Sequence, residues 1–208
     1  MPLKLDILEI EVKFYISNIS TIRDKVISLG AESMGRIFET NICFEDSQKN
    51  LFKNRSLLRL RKDNRTRLTF KSLPHTKNQE KNADFKIFRE QEVEVSDFAV
   101  MKSILESLGF HKERVYEKWR ETFILNGVTL CIDEMPFGNF LEIEGEKEDI
   151  VEAASKTGMA WENRILSNYL HMFEIIRQKF KLKFNDITFE NFKNIKLNIP
   201  SSSSSFWS

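Results

Sequence analysis

Ionic and apolar side chains alternate with a period of two in seven separate segments of this chain, and no other feature constrains its fold as tightly. In an extended strand, residues two apart share a face. Glu9, Glu11 and Lys13 therefore lie opposite Leu8, Ile10, Val12 and Phe14, and Arg59 and Arg61 opposite Leu58 and Leu60. Arg67, Thr69 and Lys71 oppose Leu68 and Phe70, while Glu90, Glu92 and Glu94 oppose Val93 and Val95. Lys118 and Arg120 oppose Trp119, and Thr129, Cys131 and Asp133 oppose Leu130 and Ile132. Glu142 and Glu144 oppose Leu141 and Ile143. A half-solvated sheet would account for any one of these strands. The whole set is less ordinary, because like charges two apart on one face repel unless something counters them.

The remaining punctuation predicts what surrounds the strands. Helices are expected over 19–29, 97–108, 147–157 and 163–180, the second capped by Ser96 or Asp97, and Asn126-Gly127 is a hairpin signal. About eight strands in largely consecutive antiparallel order would remove their edges by closing into a barrel. The helices carry apolar faces, Ile22, Val26 and Leu29 in one and Val100, Ile104 and Leu108 in another, that need a partner. If they pack outside a closed sheet, the ionic faces line a tunnel. Buried charge is tolerable there only if wet, cross-paired or filled by a ligand of matching charge. A polyanion with divalent cations would match: Arg and Lys neutralise phosphate oxygens, and carboxylates bind Mg²⁺ or Mn²⁺. The fold class expected is thus α+β, a closed eight-stranded antiparallel β-barrel with helices outside. Residues 1–180 would form this domain and 181–208 an extension, with 199–208 (IPSSSSSFWS) read as a loose tail.

Composition narrows the class. Of 208 residues, 41% are hydrophobic and 18 are Phe, enough for a real core. Lys and Arg number 32 against 31 Asp and Glu, a net charge of +1, which argues against a nucleic-acid binder. The two cysteines, Cys43 and Cys131, form neither a disulfide framework nor a metal-spacing motif, and no apolar run reaches the roughly 18 residues of a membrane span. A soluble, cytoplasmic protein is expected. His75, His111 and His171 are scattered, and neither a nucleophile elbow nor a phosphate-cradling Gly-rich loop appears. Trp119, Phe123 and Tyr169 read as packing residues, and Cys131 as a filler in the wall.

The ordered segments resemble a known superfamily. Glu9-Ile10-Glu11-Val12-Lys13 is similar to the ExExK signature of the CYTH, or triphosphate tunnel metalloenzyme, superfamily. SLLRLR (56–61), LTFK (68–71), REQEVEVSD (89–97), EKWRET (117–122) and IDEMPFGNFLEIEG (132–145) follow in the family's order, the likeness spanning about residues 5–175. The branch most resembled is the class IV adenylyl cyclase-like, or CyaB-like, one. The resemblance implies a tunnel acting on a triphosphate with Mg²⁺ or Mn²⁺. Lys13, Arg59, Arg61, Lys71, Lys118 and Arg120 would grip the phosphates, and Glu9, Glu11, Asp133, Glu142 and Glu144 would hold metal. Glu90 and Glu92, with Lys13 and Lys71, would serve the chemistry, with a register ambiguity of two residues toward Glu94. Arg67 reads as a rim residue, and Cys43 stands where many relatives carry Tyr. The reaction implied first is conversion of ATP to cyclic AMP and pyrophosphate. The alternatives are hydrolysis of an inorganic, thiamine or nucleoside triphosphate, and triphosphate or polyphosphate binding without turnover. The expected partner is a triphosphate small molecule, with no nucleic acid and no membrane, and a homodimer through the 163–180 helix stays open.

Overall fold

The period-two segments all form strands. The computed structural model describes residues 7–74, 84–197 and 204–207, and His75 lies outside them. The strands are β1 (Ile7–Ile16), β2 (Glu32–Asp46), β3 (Leu57–Lys62), β4 (Thr66–Ser72), β5 (Lys86–Glu94), β6 (Phe110–Leu125), β7 (Val128–Met135) and β8 (Gly138–Glu144). The helices are α1 (Ile19–Ser28), α2 (Asn50–Lys53), α3 (Phe98–Ser107), α4 (Lys147–Thr157), α5 (Tyr169–Lys179) and α6 (Phe189–Phe192). Every strand pairing is antiparallel, and the order β1-β5-β4-β3-β2-β6-β7-β8 returns to β1, so the eight-stranded sheet closes in a ring. Asn126 (φ 51) and Gly127 (φ 85) both take the left-handed backbone that a two-residue hairpin between β6 and β7 requires.

The apolar faces of β1, β6, β7 and β8 point outward. Val12, Phe14, Phe123, Leu130, Leu141 and Ile143 are buried beneath Ile22 and Val26 of α1 and Ile150, Ala153 and Ala154 of α4. Asn18 caps α1 by accepting from the Thr21 backbone N–H, which sets the angle at which that helix returns over the sheet. On the other flank, Ile42, Phe44, Leu58 and Leu60 meet Leu105, Phe98 and Met101 of α3. This differs from the face expected for α3. Val100, Ile104 and Leu108 are exposed, because Asp97 caps the helix at Val100 and turns Phe98, Met101 and Leu105 onto the sheet.

The helix expected over 163–180 is shorter. Residues Trp161–Asn163 form a 3-10 turn, and Ile165 then bridges to Lys13 through two backbone hydrogen bonds where β5 no longer flanks β1. Asn168 caps α5, which starts at Tyr169. Ile187 makes a similar parallel bridge to Tyr116, using β6 backbone that lies beyond the reach of β7. A third apolar cluster results at one end of the ring: Tyr116, Met135 and Phe140 from the strands, Tyr169, Met172, Phe173 and Ile176 from α5, and Ile187 and Phe192 beyond it. Part of the expected loose tail lies outside the described residues. Its described part, 204–207, adds buried Phe206 and Trp207 to this cluster, because two large aromatics find an apolar surface within reach. Among the described residues no helix is long and apolar enough to cross a membrane.

Candidate functional site

With the apolar faces turned outward, the ionic faces converge inside. Strand register makes this concrete: Lys13 pairs with Glu142, Glu11 with Glu144, Arg59 with Thr69, Lys71 with Glu90, Thr69 with Glu92, and Arg120 with Asp133. Contacts that leap over an intervening strand show that the face is concave. Lys71 of β4 reaches Glu9 of β1 across β5, and Arg59 of β3 donates to the Tyr116 hydroxyl of β6 at 3.0 Å across β2. Glu11, Lys13, Arg59, Arg61, Lys118, Asp133 and Glu142 are buried, and Lys71, Glu9, Glu90, Arg120 and Glu144 are partly buried.

The charges are sorted into two walls. On one, Lys13 pairs with Glu11 and, at 2.9 Å, with Glu142; Lys71 pairs with Glu9 and, at 2.5 Å, with Glu90; and Lys86 pairs with Glu11. With Glu144, this wall holds five carboxylates against three lysines, an excess of two negative charges when all are ionised. On the other wall, Lys118 and Arg120 both bind Asp133, at 2.9 and 2.6 Å, and Arg61 and Lys118 flank Glu39 at 3.3 and 3.7 Å. With Arg59, which lies 3.7 Å from Glu92, that is four cations to three carboxylates, an excess of one positive charge. The Arg120–Glu142 pair at 2.9 Å joins the walls.

Proton affinities follow this sorting. Burial pushes the Glu144 carboxyl up, and the neighbouring Glu9, Glu142 and Glu11 push it further, to about 7. Glu144 has no ion-pair partner among the described residues. Glu9 is also raised, by burial and by Glu11. Burial and Glu142 act in the same direction on Glu11, but Lys13, Lys86 and Lys71 overcome them and bring it to about 2. Glu142 falls well below the carboxylate range, since Lys13 and Arg120 outweigh its burial.

The sequence expectations distribute as follows. All the expected phosphate-gripping cations and metal-holding carboxylates lie on the interior face. Asp133 is the most committed of them: its two oxygens accept from Lys118, Arg120 and, at 2.8 Å, the Tyr169 hydroxyl. On β5, Glu90 and Glu92 stand across from Lys71 and Thr69, with Glu92 Oε2 accepting from Thr69 Oγ1 at 2.7 Å, whereas Glu94 stands across from Arg67 at the rim. Arg67 stands on the same rim, bound to Asp63 and Glu92. Phe123 packs beneath the helices as expected, while Trp119 packs on Phe38 and under Arg36. Cys43 and Cys131 are buried on the inner face, Cys43 within the third apolar cluster. Tyr169 is more than packing, since its ring lies 5.3 Å from the Lys13 ammonium and 5.4 Å from that of Lys118. Sequence reasoning passed over Glu39, Asn41, Lys86 and Tyr116, all on the inner face. The alternation Glu39, Asn41, Cys43, Glu45 against Phe38, Thr40, Ile42, Phe44 would have found the first two.

Among the described residues no three His, Cys, Asp or Glu side chains converge as a preformed metal site. The lysines hold the carboxylates apart. The unpaired Glu144 and the raised Glu9 nevertheless leave a surplus of hard oxygen donors, which fits a divalent cation.

The sequence profile of the CYTH domain family matches residues 8–165. Comparison with curated proteins gives no match. Among solved structures, the PH1012 protein of Pyrococcus horikoshii OT3 is similar at 30% identity and a TM-score of 0.64, over 77% of this chain and 96% of that one. The PH1819 protein of the same organism is 27% identical, with a TM-score of 0.64 over 82% and 99%. An adenylyl cyclase candidate from Hippeastrum with a dominant triphosphatase activity shares the fold at 20% identity, with a TM-score of 0.56 over 82% and 96%.

Proposed function

The chain belongs to the CYTH domain family, and on that premise we propose that it is a divalent-metal-dependent enzyme that cleaves a triphosphate inside a charged β-tunnel. The observation that carries this reading is the sorting of the interior, where a wall with a surplus of positive charge faces a wall with a surplus of negative charge. A triphosphate with its metal ion is complementary to such a pair of walls. Arg59, Arg61, Lys118 and Arg120 grip phosphate oxygens from one side, and Lys13 and Lys71 from the other. Each of these cations already lies within ion-pair distance of a carboxylate, so its position is set before an anion arrives.

Glu9, Glu11, Glu142 and Glu144 would hold the metal. Asp133, also expected among the metal ligands, accepts from Lys118, Arg120 and Tyr169 and would in addition orient those two cations. Bound Mg²⁺ or Mn²⁺ would supply charge neutralisation at phosphate oxygens and a lowered pKa for the attacking oxygen. Lys13, held by Glu11 and Glu142, and Lys71, held by Glu9 and Glu90, keep their protons; burial opposes this, but the paired carboxylates prevail. They therefore act as fixed positive charges on the phosphates in flight. Glu90 and Glu92 stand on β5 where they would accept a proton from the attacking oxygen or fix its orientation. Positioning and neutralisation suffice for in-line phosphoryl transfer.

The seating of the substrate decides the product. Attack by a ribose 3′-hydroxyl on the α-phosphorus gives cyclic AMP and pyrophosphate, the reaction of the branch the sequence most resembles. Attack by water on the γ-phosphorus gives orthophosphate. The test is incubation with ATP, and separately with inorganic triphosphate, in Mg²⁺ or Mn²⁺, with product analysis. Pyrophosphate with cyclic AMP supports the cyclase, and orthophosphate a triphosphatase. No turnover of any triphosphate, with binding retained, would leave a non-catalytic module.

A further inference from the structure

Among the described residues, Glu39 is a buried interior carboxylate, outside the proposed metal-holding set, whose oxygens make no hydrogen bond. It is fully buried at the centre of the cationic wall, on β2 between β3 and β6. One oxygen lies 3.3 Å from Arg61 Nη1 and the other 3.7 Å from Lys118 Nζ, yet among the described residues neither oxygen has a hydrogen-bond partner. A buried acceptor without a good donor is costly. At the next inward position Asn41 is also fully buried: its Oδ1 accepts from Arg61 Nε at 3.0 Å, and its Nδ2 donor has no partner among the described residues. The Arg61 guanidinium is thus held twice from β2, by Asn41 through Nε and by Glu39 through Nη1. Glu39 meets its two cations at a separation that holds them while it accepts an N–H bond from neither.

Resting on the reading above, we propose that Glu39 is a positioning residue, a built-in counter-anion that keeps Arg61 and Lys118 in phosphate-binding poses and lowers the tunnel's affinity for free polyphosphate. A phosphate oxygen entering between the two cations accepts the N–H bonds that Glu39 does not, while Glu39 keeps its charge 3.3 Å from Arg61 and 3.7 Å from Lys118 and opposes the incoming anion. Such a carboxylate favours release of a polyphosphate product from a wall with four cations.

The experiment is calorimetric titration of the full chain with inorganic tripolyphosphate in EDTA, comparing wild type with Glu39→Gln, Glu39→Asp and Asn41→Asp. Glu39→Gln keeps the shape and removes the charge, and it should bind on the order of tenfold more tightly. Glu39→Asp, which keeps the charge, should bind as wild type does. Asn41→Asp adds a second carboxylate beside Arg61 and should bind on the order of tenfold more weakly. A purely structural role for Glu39 predicts looser binding on substitution, so the sign of the change separates the two roles. Glu39→Gln binding equally or more weakly, with a native melting transition, overturns the proposal. If Glu39→Gln does not fold, Asn41→Asp decides, and wild-type affinity in that variant overturns it. Wild type that fails to bind tripolyphosphate overturns the functional reading and this proposal with it, whereas binding to wild type with the wrong sign in the variants overturns this proposal alone.

Discussion

The Tyr169 hydroxyl donates to Asp133 Oδ2 at 2.8 Å, so the first residue of α5, beyond the stretch matched by the family, touches the carboxylate that carries Lys118 and Arg120. Helix docking and site geometry are therefore one event. Tyr169→Phe removes the donor while Asp133 keeps both cations, and a loss of about 1–2 kcal/mol is expected for a bond to a charged acceptor. Asp133→Ala leaves buried Lys118 with only Glu39, at 3.7 Å, and Arg120 with only Glu142, and should cost about 3–5 kcal/mol. Denaturant unfolding of the two variants measures both, and equal costs would contradict the arrangement.

Glu144 is expected to behave in the opposite sense. It has no cation of its own and is crowded by Glu9, Glu142 and Glu11. Glu144→Gln relieves that repulsion, so in EDTA its melting temperature should equal or exceed that of wild type. The rise in melting temperature that Mn²⁺ gives wild type should shrink or vanish in the variant. A variant less stable in EDTA, with its metal response intact, would remove Glu144 from the donor set.

The two thiols give a pH test. Burial pushes Cys43 up to about 12 and Cys131 up to about 11, the nearby Arg59 and Arg120 opposing it only in part. Iodoacetamide at neutral pH should therefore modify neither in the native protein and both after unfolding. The sign of the stability effect follows from proton counts. Above about pH 8.5 the unfolded thiols ionise while the folded ones stay protonated, so the unfolded state binds fewer protons and stability falls as pH rises. Rapid native labelling at pH 7 would contradict this placement.

Much of the site was legible because ionic residues interrupt apolar ones at period two, most plainly in β1, β3 and β8. Closure of the sheet then follows from the helices needing a surface to cover. The gaps have local causes. On β2, Asn41 and Cys43 are not ionic, so the inner face there does not announce itself, although Glu39 and Glu45 share it. On β5, Phe88 sits on the inner face between Lys86 and Glu90, which hides Lys86. In α3, two apolar stripes compete, and the one containing the larger Phe98, Met101 and Leu105 takes the sheet. The chain after α5 shows no period because it docks through single anchors, among them Ile187, Phe192 and Trp207.

Those anchors can be weighed. Trp207 is 2% exposed, lies 5.7 Å ring to ring from Phe140, and has its carbonyl bound by Ser167 Oγ at 2.9 Å. Trp207→Ala should cost about 3–5 kcal/mol if the site cannot collapse. Thermal or denaturant unfolding reads this directly, and a change under about 0.5 kcal/mol, usual for surface positions, would show that the segment is not docked.

The central claim is that a triphosphate sits among the inward-facing charges, and a crystal structure of the protein grown with Mn²⁺ and inorganic tripolyphosphate tests it most directly. The account predicts phosphate density between Arg59, Arg61, Lys118 and Arg120 on one side and Lys13 and Lys71 on the other, with an anomalous manganese peak beside Glu9, Glu11, Glu142 and Glu144. Phosphate and manganese found only on the outer surface, with the interior ion pairs unchanged, would contradict it.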